Sequence, residues 1–140
     1  SIISILIVNY NTDQLVLKGV ESIIAHTKKI DFEIIVVDNN SPVKTRLKDS
    51  LAKYNCVHFF QLTKNIGFGR ANNFAYSKCT GDYVFLLNSE RDLFRILVRV
   101  VRFGDTLSIN CSLEVSFSAS LSLLIDELFS RSSAVSEVKT

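Results

Sequence analysis

The chain lacks any uninterrupted apolar run of the roughly 18 to 20 residues that a membrane span requires. Its opening, Ser1-Ile2-Ile3-Ser4-Ile5-Leu6-Ile7-Val8-Asn9, lacks the basic region of a signal peptide and reads as a buried strand. Cysteine is sparse: Cys56, Cys79 and Cys111 are odd in number and widely spaced, which argues against a disulfide framework and a zinc site and suits a reducing cytoplasm. Charge of one sign is also scarce, and a net charge of +2 gives only a weak field, so composition does not propose nucleic acid as a partner. What remains is 140 residues, 47% hydrophobic and 21% charged, which is enough for one globular domain with a sizeable core.

The composition divides near Glu90. Residues 1–90 hold nine of the ten Asn and eight of the nine Lys, while residues 91–140 hold five of the seven Arg and ten Ser, so the two parts are read separately. The first alternates apolar runs with helical patterns, the signature of an α/β fold with a largely parallel sheet. Strands are expected at Ile2–Asn9, Phe32–Asp38, Val57–Leu62 and Tyr83–Leu87. Helices are expected at Asp13–His26, behind Asn11 and Thr12 as caps, at Lys44–Tyr54 after a turn around Pro42, and from about Gly69 to Lys78.

Open parallel sheets bind ligands beyond the carboxyl ends of their strands. Asn9-Tyr10-Asn11, Asp38-Asn39-Asn40-Ser41 and Asn88-Ser89-Glu90 all fall there, joined by the segment Asn65 to Asn73. Asp38 suits a ribose hydroxyl or a base N–H, or else forms an Asx turn with its own backbone. Gly67 and Gly69 would let backbone approach a phosphate whose charge Arg70 could meet. The glycines follow the third strand, with Asn72 where a third glycine belongs, so the nicotinamide-binding fingerprint is not met. Asn88 and Glu90, two apart and joined at the same spacing by Asp92, could offer oxygens to one Mg²⁺ or Mn²⁺, or form a solvated acidic turn. His26 and His58 lack suitable partners for metal ligation or nucleophilic catalysis, and His26 suits a helix C-terminus. Cys56 and Cys79 read as core residues, while Tyr10 and Phe68 could stack on a base or simply pack.

Taken in order, Asn9-Tyr10-Asn11, Ile35-Val36-Val37-Asp38-Asn39-Asn40-Ser41, Asn65-Ile66-Gly67-Phe68-Gly69-Arg70-Ala71-Asn72-Asn73 and Gly81-Asp82-Tyr83-Val84-Phe85-Leu86-Leu87-Asn88 resemble family 2 glycosyltransferases, nearest the rhamnosyltransferase-like branch of bacterial polysaccharide enzymes. The resemblance implies a GT-A fold, a nucleotide-diphosphate sugar donor of the UDP, GDP or dTDP type, and Mn²⁺ or Mg²⁺. It also implies inverting transfer to the hydroxyl of a glycan or lipid-linked acceptor. It places Tyr10 and Asn11 beside the base and Asp38 on the base or ribose. Asn65, Gly67, Arg70 and Asn73 match the donor-site segment, and Asn88 and Glu90 fall on the metal motif, where the family carries Asp at the second position. The cation would neutralise the leaving diphosphate while a carboxylate base deprotonates the acceptor.

Residues 1–90 thus read as the nucleotide-sugar-binding part of such a domain, and 91–140 as an atypical tail. Family domains run well past this length and take their base from the second half, where no matching motif stands. Asp126 and Glu127 are adjacent but nothing places them near the donor. The abrupt break after Ser89 suggests a change of reading frame or a join to unrelated sequence. A non-enzymatic rival is therefore a fragment that binds nucleotide-sugar without turnover. Arg91, Arg95, Arg99 and Arg102, at spacings of 4, 4 and 3, would share a helical face, either solvated or resting on an anionic membrane at the inner side of the cell. Leu113–Leu123 alternates with a period of two, as a strand does, and a truncated sheet would expose apolar faces to self-association.

Overall fold

A computed structural model of the chain describes residues 2–28, 30–43, 46–90, 93–99 and 110–115, with side chains described up to residue 87. The elements are β1 (Ile2–Asn9), α1 (Asp13–His26), β2 (Asp31–Asp38), α2 (Leu47–Leu51), β3 (Val57–Gln61), α3 (Phe68–Ser77), β4 (Tyr83–Glu90), β5 (Leu93–Arg99) and β6 (Asn110–Val115). They form a six-stranded sheet in the order β3-β2-β1-β4-β5-β6. The first four neighbours run parallel, as an α/β fold requires, and β5 and β6 add antiparallel pairs at one side. Successive strands step outward from β1 to β2 and β3, then the chain crosses to the other side of β1. The strand order thus reverses at β1, which is the topological switch point of the sheet.

Strand alternation divides the core between the two faces of the sheet. Ile3, Ile5 and Ile7 of β1, Ile34 and Val36 of β2, and Phe85 and Leu87 of β4 pack with Val16, Val20 and Ile23 of α1 and with Leu47 and Leu51 of α2. Leu6, Ile35, Val37 and Val84 face the other way, onto Ala75 of α3. Both faces are covered, which is why β1 and β2 read as continuous apolar runs rather than alternating ones. At the edge of the second layer Phe60 meets Phe74 edge-on at 5.8 Å between centroids, and Lys78 Nζ lies 5.4 Å from each ring.

Two elements differ from their sequence reading. The helix expected over Lys44–Tyr54 is only Leu47–Leu51, because Leu47 and Leu51 are its sole buried anchors; turns closed by Leu51 O and Tyr54 O then carry the chain into β3. The arginine-faced helix expected after Glu90 is overturned, since Leu93–Arg99 is a strand paired antiparallel with β4. Its four-residue arginine repeat spans a β-branched and aromatic run, and the edge of β4 offers N–H and C=O groups that an added strand pairs. The basis for a membrane-resting helix goes with it over those residues. Among the described residues no helix is long and apolar enough to cross a membrane. β4 also runs three residues beyond the expected Leu87, to Glu90, so Asn88-Ser89-Glu90 is extended strand rather than a turn. Arg91, Asp92, Arg102, Asp126, Glu127 and the alternating segment past Val115 lie outside the described residues.

A buried polar knot ties the amino ends of the strands. Ser4 in mid-β1 is fully buried; its hydroxyl donates to Glu33 Oε1 at 2.6 Å and accepts from Gly81 N–H at 2.9 Å. Thr80 N–H donates to the same Glu33 oxygen at 2.6 Å, and His58 Nε2 stands 3.8 Å from the other. Burial pushes the Glu33 carboxyl up, but the hydrogen bonds from Ser4 and Thr80 and the neighbouring His58 together hold it below its usual 4.5. Asp82 continues the knot, donating its N–H to Ile2 O while its carboxylate accepts from Ile2 N–H.

Gly81 packs so closely that an added Cβ would stand 2.6 Å from Ser4 Oγ and 2.7 Å from Ser4 N. Gly81→Ala is therefore expected to lose about 1–3 kcal/mol of stability through overpacking, read as a fall in the urea midpoint. A carboxyl held low when folded adds stability above its unfolded value and loses it as pH falls through the folded one. Acid should thus lower the urea midpoint of the native chain below about pH 4.5, more steeply than that of Glu33→Gln.

Candidate functional site

At the opposite, carboxyl end of the sheet the buried polar residues converge on Asn9, the last residue of β1. Its side chain is fully buried, and every hydrogen-bonding position is used. Nδ2 donates to Asp38 Oδ1 and to Asp13 Oδ1, both at 2.8 Å, while Oδ1 accepts from Thr12 Oγ1 at 2.9 Å and Thr12 N–H at 3.3 Å. The backbone repeats the link, Asn39 N–H donating to Asn9 O at 2.8 Å. One amide thereby joins β1 to β2 and sets the first turn of α1.

Asp38 ends β2 and is 1% exposed. Besides Asn9, its carboxylate accepts from Ser41 Oγ at 2.6 Å, Ser41 N–H at 3.0 Å and Gln61 Nε2 at 2.7 Å. A carboxylate offers about four lone-pair positions, and all are taken. The Asx turn weighed from the sequence is present in the Ser41 contacts, together with longer-range bonds that it did not suggest. Ser41 Oγ in turn accepts from Asn11 N–H at 2.9 Å, so Asn11 and Asp38 share one network. Asn11 and Asn40 both adopt positive φ, 57° and 58°, the left-handed region that Asn enters more readily than other side-chain-bearing residues.

A second cluster seats the glycine-containing segment. Asn39, 4% exposed, donates from Nδ2 to Asn65 Oδ1 at 3.1 Å and accepts on Oδ1 from Ile66 N–H at 3.0 Å. Asn65 Oδ1 also accepts from Gly67 N–H at 2.9 Å. Gly67, with φ 84° and ψ 161°, turns the chain into α3 through a conformation that is essentially glycine's alone. The first amide of α3 to bond within the helix is that of Ala71, to Gly67 O at 3.1 Å, which leaves the N–H groups of Phe68, Gly69 and Arg70 facing outward from the helix start.

The structure therefore gathers Asn11 with Asp38, and Asn65 with Gly67, into two adjoining clusters. Tyr10 is 48% exposed, and Arg70 and Asn73 are exposed and three apart on α3; none of the three has a hydrogen-bond or ion-pair partner among the described residues. Asn88 and Glu90 lie on β4, Asn88 in register with Val8 and so beside the end of β1; their side chains lie outside the described ones. Among the described residues no group of three His, Cys, Asp or Glu could hold a metal ion. His26 stays at the end of α1 with Nδ1 2.9 Å from Ser22 O, as its position suggested. Burial pushes the Cys79 thiol up to about 11 and raises Cys56, which favours the protonated thiol in both. The sequence reading missed Gln61 as a site residue, and no motif marks it. It becomes visible only when β3 pairs with β2 and sets Gln61 opposite Asp38.

The sequence model for glycosyl transferase family 2 matches residues 4–90, which span both clusters and all four parallel strands. The chain belongs to that family. Among solved structures, this family 2 chain is similar to residues 1–349 of TarS from S. aureus, with a TM-score of 0.56 and 23% identity over 63% of this chain and 27% of that one. TarS in complex with UDP matches at the same score and identity over 64% and 27%. The mannosyltransferase PcManGT from Pyrobaculum calidifontis, in complex with GDP-Man and Mn²⁺, matches with a TM-score of 0.53 and 18% identity over 61% of this chain and 26% of that one. These likenesses show the GT-A fold expected from the sequence. The chain spans about a quarter of the length of the structures it matches. No curated protein matches it in sequence.

Gly67→Ala should cost about 1–3 kcal/mol, because a Cβ at φ 84° is strained although nothing stands within 4 Å of it. Faster amide exchange at Ile66 and Gly67, with β1 and β2 unchanged, would show that the strain is local to this turn.

Proposed function

We propose that the chain is the donor-binding part of a glycosyltransferase that moves a sugar from a nucleoside diphosphate to an acceptor hydroxyl in bacterial cell-surface or polysaccharide synthesis. The observation that carries this reading is the convergence of the Asn9–Asp38 and Asn39–Asn65–Gly67 clusters at the carboxyl end of the sheet, next to an exposed helix start bearing Arg70. The family membership supports it, as do the UDP and GDP-Man bound by the similar structures.

In this reading the nucleoside lies over the ends of β1 and β2, beside Tyr10, Asn11 and the Asp38 network. The diphosphate meets the outward N–H groups of residues 68–70, and the guanidinium of Arg70 supplies a paired charge. Asn73, three residues along the same helix, faces the donor sugar. Asn88 and Glu90 bring an amide and a carboxylate, hard oxygen donors suited to Mn²⁺ or Mg²⁺, to the strand beside Asn9. Glu is one methylene longer than the family's Asp, which favours a looser hold on the ion. When bound, such a cation neutralises the charge that develops on the departing diphosphate. A neighbouring carboxylate would serve as base in an inverting transfer. The two carboxylates bonded to Asn9, Asp13 and Asp38, are committed to structural bonds. That commitment favours, as a second reading, a chain that binds donor without turning it over. Sugar release from labelled donors separates the two readings.

Thermal-shift titration of the 140-residue chain with UDP, GDP and dTDP, with and without Mn²⁺, is expected to raise the melting temperature with one of them and further with the ion. A ligand at a hundred times its dissociation constant adds about 2.7 kcal/mol to the folded state. Arg70→Ala should weaken that diphosphate on the order of tenfold and leave the matching nucleoside unaffected. No shift with any nucleoside diphosphate would overturn the reading.

A further inference from the structure

The two strands beyond β4 divide their residues sharply between the faces of the sheet. In antiparallel pairing, residues directly opposite one another share a face. Phe94, Ile96 and Val98 of β5 stand opposite Val115, Leu113 and Cys111 of β6, so one face of this strand pair is apolar at all six positions. Ile96 is also opposite Leu87 of β4, which sets the face in the same layer as Phe85 and Leu87, where α1 packs. The other face is polar at most positions: Arg95 stands between Asn88 and Glu114, Leu97 is opposite Ser112 and Arg99 opposite Asn110. A strand pair divided in this way is solvated on one side and needs cover on the other. The described helices serve the far half of the sheet, α1 and α3 packing on β1, α3 also on β2, and α2 on β3.

The sequence that follows β6 carries a matching stripe. Past the alternating stretch, Leu121, Leu124, Ile125 and Leu128 recur at i, i+3, i+4 and i+7, the spacing of one helix face, with Ser122, Asp126, Glu127 and Ser130 at the positions opposite. In helical form residues 121–129 measure about 13 Å, and the rise from Phe94 to Val98 along β5 is about 13 Å as well. Residues 116–120 are a connection of ordinary length between a strand and a helix that packs back on its own sheet.

A second copy of the chain is the rival occupant, and size decides against it. A standard interface engages roughly 20–30 residues on each side, whereas this face offers six positions. A segment tethered at Val115 also meets the face at the roughly millimolar effective concentration of a short linker, while a second copy meets it only at the concentration of the protein.

We propose that the apolar face of β5 and β6 is the docking surface for residues 121–129 of the same chain, laid along it as an amphipathic helix in the layer of α1. The proposal is independent of the donor-site reading. The covered pair borders β4, so the cover braces the strand that carries Asn88 and Glu90.

Cys111 falls on this face and Cys79 in the layer of α3, so one labelling experiment reads both. The 140-residue chain is treated with N-ethylmaleimide and the rate at each cysteine is resolved by peptide mass, for the native chain, for the double variant Leu124→Asp, Leu128→Asp and for Asp126→Ala. Native Cys111 should label at least about tenfold more slowly than in the guanidinium-unfolded chain, and its rate should not change on dilution. The double variant should release Cys111 on the order of tenfold while Cys79 keeps its native rate, and Asp126→Ala should leave both as they are. A native Cys111 that labels as fast as in the unfolded chain would overturn the proposal without recourse to any variant. Protection that falls on dilution would assign the cover to a second copy and overturn it too. Protection kept by the double variant, or lost equally in Asp126→Ala, would do the same. If Cys79 accelerates together with Cys111, the segment supports the whole fold instead of covering this face, and the proposal fails.

Discussion

The buried amide of Asn9 is the constraint on which the carboxyl end of this sheet depends. A primary amide without solvent access must satisfy two donors and an acceptor inside the protein, and an unmet one would cost about 1–3 kcal/mol. Asn9 meets all of them by binding Asp38 on the neighbouring strand and Asp13 and Thr12 at the start of α1. Satisfying one side chain therefore sets the relative height of β1 and β2 and the direction in which α1 departs. Asp38, once held, orders Ser41 and through it the backbone at Asn11. The site is an outgrowth of that one saturated group.

The two ends of the sheet use buried polar chemistry in opposite ways. At the amino end Ser4, Glu33, Thr80 and Gly81 form a knot whose groups bond one another, in contact so close that Gly81 has no room for a methyl group. Such a network rigidifies and offers little to a ligand. At the carboxyl end the inner layer is equally saturated, but it turns outward a second layer with unused capacity: Gln61 Oε1, the Arg70 guanidinium, Asn73 and the first amides of α3. Ligand binding needs both layers, because an exposed group holds its orientation only when the group behind it cannot move.

Much of this was legible along the chain. The runs Ile2–Asn9 and Asp31–Asp38 are apolar at nearly every position, as only strands covered on both faces are, and the spacing of Val16, Val20 and Ile23 gives α1 its buried stripe. The motif residues Asn11, Asp38, Asn65 and Gly67 do cluster. The Gly81-Asp82 pair, equally part of the resemblance, has a packing role at the far end of the sheet. α2 was overread because helix propensity extends beyond the two leucines that anchor it. The segment after Glu90 was misread because arginines four apart fit a helix, while the antiparallel pairing that sets Glu90 opposite Leu93 and Leu86 opposite Leu97 is joined by Arg91-Asp92, which carries no Asn-Gly or Asp-Gly hairpin signal.

The sequence by itself determined the family, the alternation of strands and helices, and the positions at which polar residues follow each strand, because those depend on local periodicity and on motifs short enough to be contiguous. The tertiary structure alone decided which of those polar residues face inward and which outward. Asn9 and Gln61 are amides of similar chemistry at the ends of two strands, yet one is sealed beneath α1 and the other stands at the rim. Strand order makes the difference: β1 lies inside the sheet between β2 and β4, and β3 lies at its edge, so identical chemistry becomes a structural hub at one position and an open acceptor at the other.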